Sequence, residues 1–131
     1  MLITQEQLEP IKHSDMNNVH DEEIELIEKL HAVAKNSDIK AITELLNELI
    51  EHMEEHFSFE EALMQENNYS GFHEHKHEHA KELMDIRSIQ SFFEMTNDAS
   101  AIAAYMHDSF SPWIMEHVEN WDSDLSEFLQ K

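Results

Sequence analysis

The chain has no cysteine, one glycine and two prolines in 131 residues. Without cysteine there is no disulfide, no thiolate metal site and no cysteine nucleophile. So few turn formers are poor material for many short strands, and good material for long helices joined by few loops. Basic residues are scarce too: 8 Lys and Arg stand against 29 Asp and Glu, a formal net charge of −21. A surface this acidic repels phosphate backbones and anionic lipid, so neither nucleic acid nor a membrane is expected as a partner. No apolar run approaches the roughly 18 residues that a bilayer span needs. The first ten residues, MLITQEQLEP, have no basic and no apolar signal region, which leaves a cytoplasmic protein as the expectation. The length suits a single domain over 1–131.

What the chain does hold is histidine. Six of its eleven histidines fall between His52 and His79. That stretch divides at Asn67–Gly71, where two Asn, a Ser and the glycine sit together, so it reads as two helices across a turn. The remainder predicts an all-α fold: an N-terminal arm over 1–15 and an antiparallel up-down-up-down four-helix bundle over about 16–125. The first helix is expected from Asn17, with Asp21, Glu22 and Glu23 in its early turns where the helix dipole favours acid. Its apolar face carries Ile24, Ile27, Leu30 or His31, and Ala34, one turn beyond His20. The second helix, about 38–66, has the stripe Ile42, Leu45, Leu46, Leu49, Met53, His56, Glu60, Leu63 and Met64. The third begins near Phe72; counting back from Phe93 through Ile86 and Leu83 reaches His79 and His75, and leaves His73 and His77 outward. The fourth carries Ile102, Met106, Phe110, Trp113, Ile114, His117 and Val118, with Pro112 expected to kink it near Ser111.

Seven polar residues therefore lie in apolar stripes: His20, His56, Glu60, His75, His79, His117 and Asp122. A carboxylate buried without a partner costs several kcal/mol, and a metal ion removes that cost. Five imidazoles and two carboxylates suit a pair of borderline metals with the carboxylates between them. One spacing resists. Asp122 follows His117 by five, roughly 140° away on a regular helix, so the helix must loosen after His117 for both to reach one site.

The run HFSFEEALM, followed by Tyr69, His75 and His79, then by His117-x4-Asp122, with His20 upstream, resembles the hemerythrin family, and within it the single-domain bacterial type. The resemblance implies two iron ions bridged by an oxo or hydroxo group. It places His75, His79 and His117 on one ion, His20 and His56 on the other, and Glu60 and Asp122 across both. It further implies reversible dioxygen binding at the ion with fewer ligands, for storage, delivery or sensing. Phe57, Trp113, Ile114 and Val118 match the family's pocket walls, and Ile24 is a further candidate. His52, where an aromatic is common, and Pro112 depart from the family pattern and bear on the pocket rather than on the ligands.

The competing reading is a di-iron oxidase or peroxidase, or an iron- or redox-sensing domain using the same site. A ferritin-like oxidase needs inward Glu-x-x-His pairs. The two present are Glu28/His31 and Glu74/His77, and the second faces outward. With no further acid or base placed near the pocket, a binding protein is expected over an enzyme. His31, His52 and His107 read as ordinary hydrogen-bonded core histidines, and His13, His73 and His77 as surface residues.

Overall fold

The structure, a computed structural model, describes residues 14–129. Residues 1–13 and 130–131 lie outside the described residues, and with them most of the expected arm, including His13. Helix α1 is Ser14–Lys35, α2 is Ile39–Glu66 and α3 is Phe72–Thr96. The fourth helix, α4, spans 99–129 as five contiguous pieces: Ala99–Tyr105, Met106–Phe110, Ser111–Glu116, His117–Asp122 and Ser123–Leu129. α1 packs on α2 and on α4, and α3 does the same from the other side, which closes a four-helix bundle. Among the described residues no helix is long and apolar enough to cross a membrane.

The turns follow from residues that tolerate left-handed backbone or cap helices. Ser37, Asn68 and Asn97 have φ of 55°, 54° and 54°. Asp38 and Asp98 each start a helix by accepting from a backbone N–H, that of Ala41 at 3.1 Å and of Ala101 at 3.2 Å. Gly71 has an ordinary φ of −83°; it is needed because a Cβ there would meet the Tyr69 ring at 2.8 Å.

Two of the pieces of α4 are π-helical turns, Met106–Phe110 and His117–Asp122. The first takes up Pro112. A proline has no N–H and crowds the carbonyl four residues back. Here the turn widens just ahead of it, and the Ser111 hydroxyl donates to the Met106 carbonyl at 2.8 Å. The expected kink is thus a wide turn. The second is the loosening that the His117 and Asp122 spacing required: bonding at i→i+5 returns residues five apart to one face.

A main core of Ile27, Leu30, Ile42, Leu46, Leu49, Met53, Ile86, Phe93, Ile102, Met106 and Phe110 fills most of the bundle. Each such fully buried side chain contributes roughly 1.5–3 kcal/mol. A smaller cluster, Met64 and Leu125 with Phe59, Tyr69, Phe72 and Leu129 against them, closes the end by the α2–α3 turn. Met64, Phe72 and Leu125 each lie one helical turn from Glu60, His75 and Asp122. The inward histidines and acids are therefore held between two apolar plugs.

Three expectations are corrected. α1 begins at Ser14, three residues before Asn17. His107 is exposed and paired with Asp108 at 2.7 Å, not in the core, because the wide turn displaces it outward. On α3 the buried position is Glu82, while Leu83 is half-buried.

Glu82 is 5% exposed and accepts a 2.7 Å hydrogen bond from the Tyr105 hydroxyl. Burial pushes its carboxyl up to about 7; the Tyr105 bond works against this, and the charges of Asp85 and Glu78 add to it. A folded pKa raised above the unfolded one means that the native state binds the extra proton, so stability is lost as pH rises from about 4.5 through 7. Glu82→Gln keeps the acceptor without the charge. It is expected to stabilise the protein by about 3 kcal/mol at pH 8 and to change little at pH 4. Urea denaturation at the two pH values checks this; an equal effect at both would remove the charge from the explanation.

Candidate metal centre

All seven inward residues converge. Their exposures run from 0% for Glu60, His75 and Asp122 to 3% for His20. α1 contributes His20, α2 His56 and Glu60, α3 His75 and His79, and α4 His117 and Asp122. The i, i+4 pairs on α2 and α3 put both side chains on one helix face. On α4 the π turn does the equivalent job.

The donor atoms form two groups. One atom each from Glu60, His75, His79, His117 and Asp122 lie within 4.8 Å of one another, and so do atoms of His20, His56, Glu60 and Asp122. The two carboxylates belong to both. Glu60 turns Oε2 to His56 Nε2 at 2.5 Å, and Oε1 to His79 at 3.0 Å and His75 at 3.2 Å. Asp122 turns Oδ2 to His20 Nε2 at 2.8 Å, and Oδ1 to His75 and His117, both at 3.0 Å. Each acid thus sends one oxygen to the pair of histidines and the other to the trio.

Within the trio, His117 Nε2 lies 3.2 Å from the Nε2 atoms of both His75 and His79. Nitrogens that crowd in this way cannot all be satisfied by one another, since each contact needs a proton on one side only. Glu60 Oε1 and Asp122 Oδ1 are buried and make no hydrogen bond of proper geometry despite those short distances. Orphaned buried acceptors facing clustered imidazole nitrogens need a cation between them. The oxygen and nitrogen donor set fits iron, though zinc or manganese would take similar donors.

Electrostatics agree. Burial alone would drive His20 and His117 neutral, yet Asp122 and Glu60 hold them up, at about 9 and about 10. His56 is likewise raised well above its ordinary value against burial, by the charges of Glu60 and Glu23. Glu60 and Asp122 are held low by the same histidines, again against burial. Protons here do the work that a metal cation would otherwise do.

Around these donors, Phe57 stacks on His79 with ring centroids 4.0 Å apart and planes at 3°. Trp113 stacks on His117 at 4.6 Å and 19°, with its indole N–H donating to Glu78. Ile114 and Val118 are fully buried, and Ile24 nearly so. A surface groove between α2 and α3, lined in part by Glu61, Lys76 and Arg87, reaches the edges of Phe57 and His79. Neither Glu-x-x-His pair enters the donor groups.

Glu23 was missed. It belongs to the early turns of α1, where acid suits the dipole, but it is completely buried and accepts from His56 Nδ1 at 2.6 Å. The signal was in the register: His20, Glu23, Ile27, Leu30 and Ala34 are spaced by threes and fours. The pocket region therefore does contain one further acid.

The hemerythrin HHE cation binding domain model matches residues 12–129. Bacteriohemerythrin of Aquifex aeolicus (strain VF5) is 28% identical over 129 residues, spanning 98% of each chain. Bacteriohemerythrin of Pseudomonas aeruginosa (strain UCBPP-PA14) is 27% identical over 108 residues, 82% of this chain and 69% of that one. A crystal structure of wild-type hemerythrin superposes with a TM-score of 0.84 over 100% of this chain and 98% of the other, at 22% identity, a likeness of fold.

Proposed function

Since the chain belongs to the hemerythrin family, we propose that its bundle holds two iron ions and binds dioxygen reversibly. The observation that carries this reading is the split of Glu60 and Asp122 between two donor groups. His75, His79 and His117 would hold one ion, His20 and His56 the other, and the two acids would serve both. Counting donors, the first ion receives three imidazoles and two carboxylate oxygens, the second two imidazoles and two oxygens. The second would be one donor short, which would leave room there for dioxygen. When bound, the two ions supply the electrons, one each, that dioxygen takes up on binding and returns on release.

The chain's own residues do the rest. Phe57, Trp113, Ile114 and Val118 wall the site and exclude water, which protects a reversible binder from side reactions. Glu61 accepts from His79 Nδ1 at 3.1 Å, which fixes the proton on that nitrogen and leaves Nε2 to ligate. No Lys or Arg is buried among the described residues, so no fixed cation competes for the acids. A cytoplasmic location is part of the proposal. The charge of −21 argues against nucleic acid as a partner.

The test is iron content with the visible spectrum of dithionite-reduced protein, then in air, then after oxygen is removed. Two irons per chain and a charge-transfer colour that appears in air and fades on degassing are expected. A colour that never fades would instead favour the oxidase, peroxidase or sensor readings. Absence of iron from a folded, iron-supplied protein would overturn the proposal.

A further inference from the structure

Glu23 is fully buried and has two histidine partners through one oxygen. Its Oε2 lies 2.6 Å from His56 Nδ1 and 3.2 Å from His52 Nδ1. His52 is half-buried, and its Nε2 reaches the Oε2 of exposed Glu22 at 3.2 Å. The other oxygen of Glu23 is buried without a partner. A carboxylate in this place is costly, and leucine would fill an α1–α2 contact at no such cost.

The contact has a direction. His56 turns Nε2 to Glu60 and Nδ1 to Glu23. A carboxylate on Nδ1 keeps the ring proton there, sets the ring's orientation and makes Nε2 the stronger donor. The trio has nothing equal to it. His75 and His117 have no partner at Nδ1, and His79 meets Glu61, whose side chain is 24% exposed and so partly screened by water. The buried anion therefore stands behind one donor group only.

We infer that Glu23, braced by His52, is a positioning residue for His56 that makes the two-histidine subsite the stronger electron donor to its metal. This rests on the ligand set proposed above. An added anion close to one ion stabilises the higher oxidation state there, which bears directly on how readily oxygen is bound at the open position.

Glu23→Gln keeps shape and an acceptor but removes the charge. Anaerobic calorimetric titration of metal-free protein with Co(II) should still show two ions per chain. One of the two affinities should fall 10- to 100-fold, the loss usual for an outer carboxylate, and the other should hold. In the iron-loaded protein, a tenfold loss of preference for the ferric ion raises the one-electron midpoint by about 59 mV. His52→Phe, which removes only the brace, should shift both readings less and in the same direction; it carries the test if the Glu23 variant does not fold. A variant that melts lower but keeps both cobalt affinities and the midpoint would make Glu23 a tie between helices and overturn the inference. Wild-type protein that binds no second cobalt would overturn it together with the ligand set, so the two failures can be told apart.

Discussion

Replacing Glu60 by alanine is expected to cost the protein both metal ions, not one. Glu60 is the only α2 acid shared by the two donor groups, with one oxygen 2.5 Å from His56 and the other 3.0 Å from His79. On the proposed ligand set, losing it would remove a donor from each ion. The metal-free fold suffers as well. Removing one partner from a buried ion pair costs on the order of 3–5 kcal/mol, because the other charge stays buried. His20→Ala is the contrast. His20 belongs to the smaller group alone, so one ion should remain in the trio. Metal analysis after desalting checks the pair of variants: fewer than one ion per chain for Glu60→Ala, about one for His20→Ala. Two ions retained by Glu60→Ala would end its spanning role.

The second large effect is on pH. Stripping the metal is expected to invert the slope of stability between about pH 6.5 and 10. In metal-free protein the folded pKa values of His20, about 9, and His117, about 10, lie above the unfolded value of 6.5. Their contribution is present in full below 6.5 and is lost as pH rises through the folded values. For His20 alone this is roughly 3 kcal/mol, or about 10 °C in melting temperature for a chain of this size. Glu23 works on the other side. It is held down at about 2, against its own burial, chiefly by the charge of His56, so its contribution holds above about 4.5 and fades as pH falls towards 2. Metal-free protein should therefore be most stable between about pH 4.5 and 6.5. Loaded protein behaves in reverse, since a metal must displace the histidine protons and binds better as pH rises. Thermal melts with and without chelator at pH 5.5, 7.5 and 9 decide it. A metal-free melting temperature that is flat or rising over that range would contradict the ion-paired core.

Much of this is legible in the sequence, because helices repeat. His75 and His79 could be placed by counting back from Phe93, and the same counting on α2 brought Glu60 inward. The spacing of His117 and Asp122 even announced a departure from regular helix. What failed was a choice between adjacent positions. Glu82 and Leu83 both sit near the inward face of α3, and hydrophobicity favours Leu83; the Tyr105 hydroxyl, from another helix, is what lets Glu82 take the place. Glu23 was hidden in the same way. Its partners, His52 and His56, lie about thirty residues away, and acid early in a helix already has a sufficient local reason. Local rules find residues whose reasons are local.

The wide turns of α4 carry one more consequence. Each amounts to one residue more than a regular helix would use, and every side chain beyond it is rotated by about 100°. The fourth helix is thus three lengths out of phase with one another: Ala99–Tyr105 aims Tyr105 at Glu82, Ser111–Glu116 leads Trp113 over His117, and Ser123–Leu129 seats Leu125 in the end plug. Substitutions there act one at a time. A deletion of a single residue within 118–121 would let this turn close to regular helix with the aspartate four residues after His117, still on its face, whereas an insertion there would turn everything after it by about 100°.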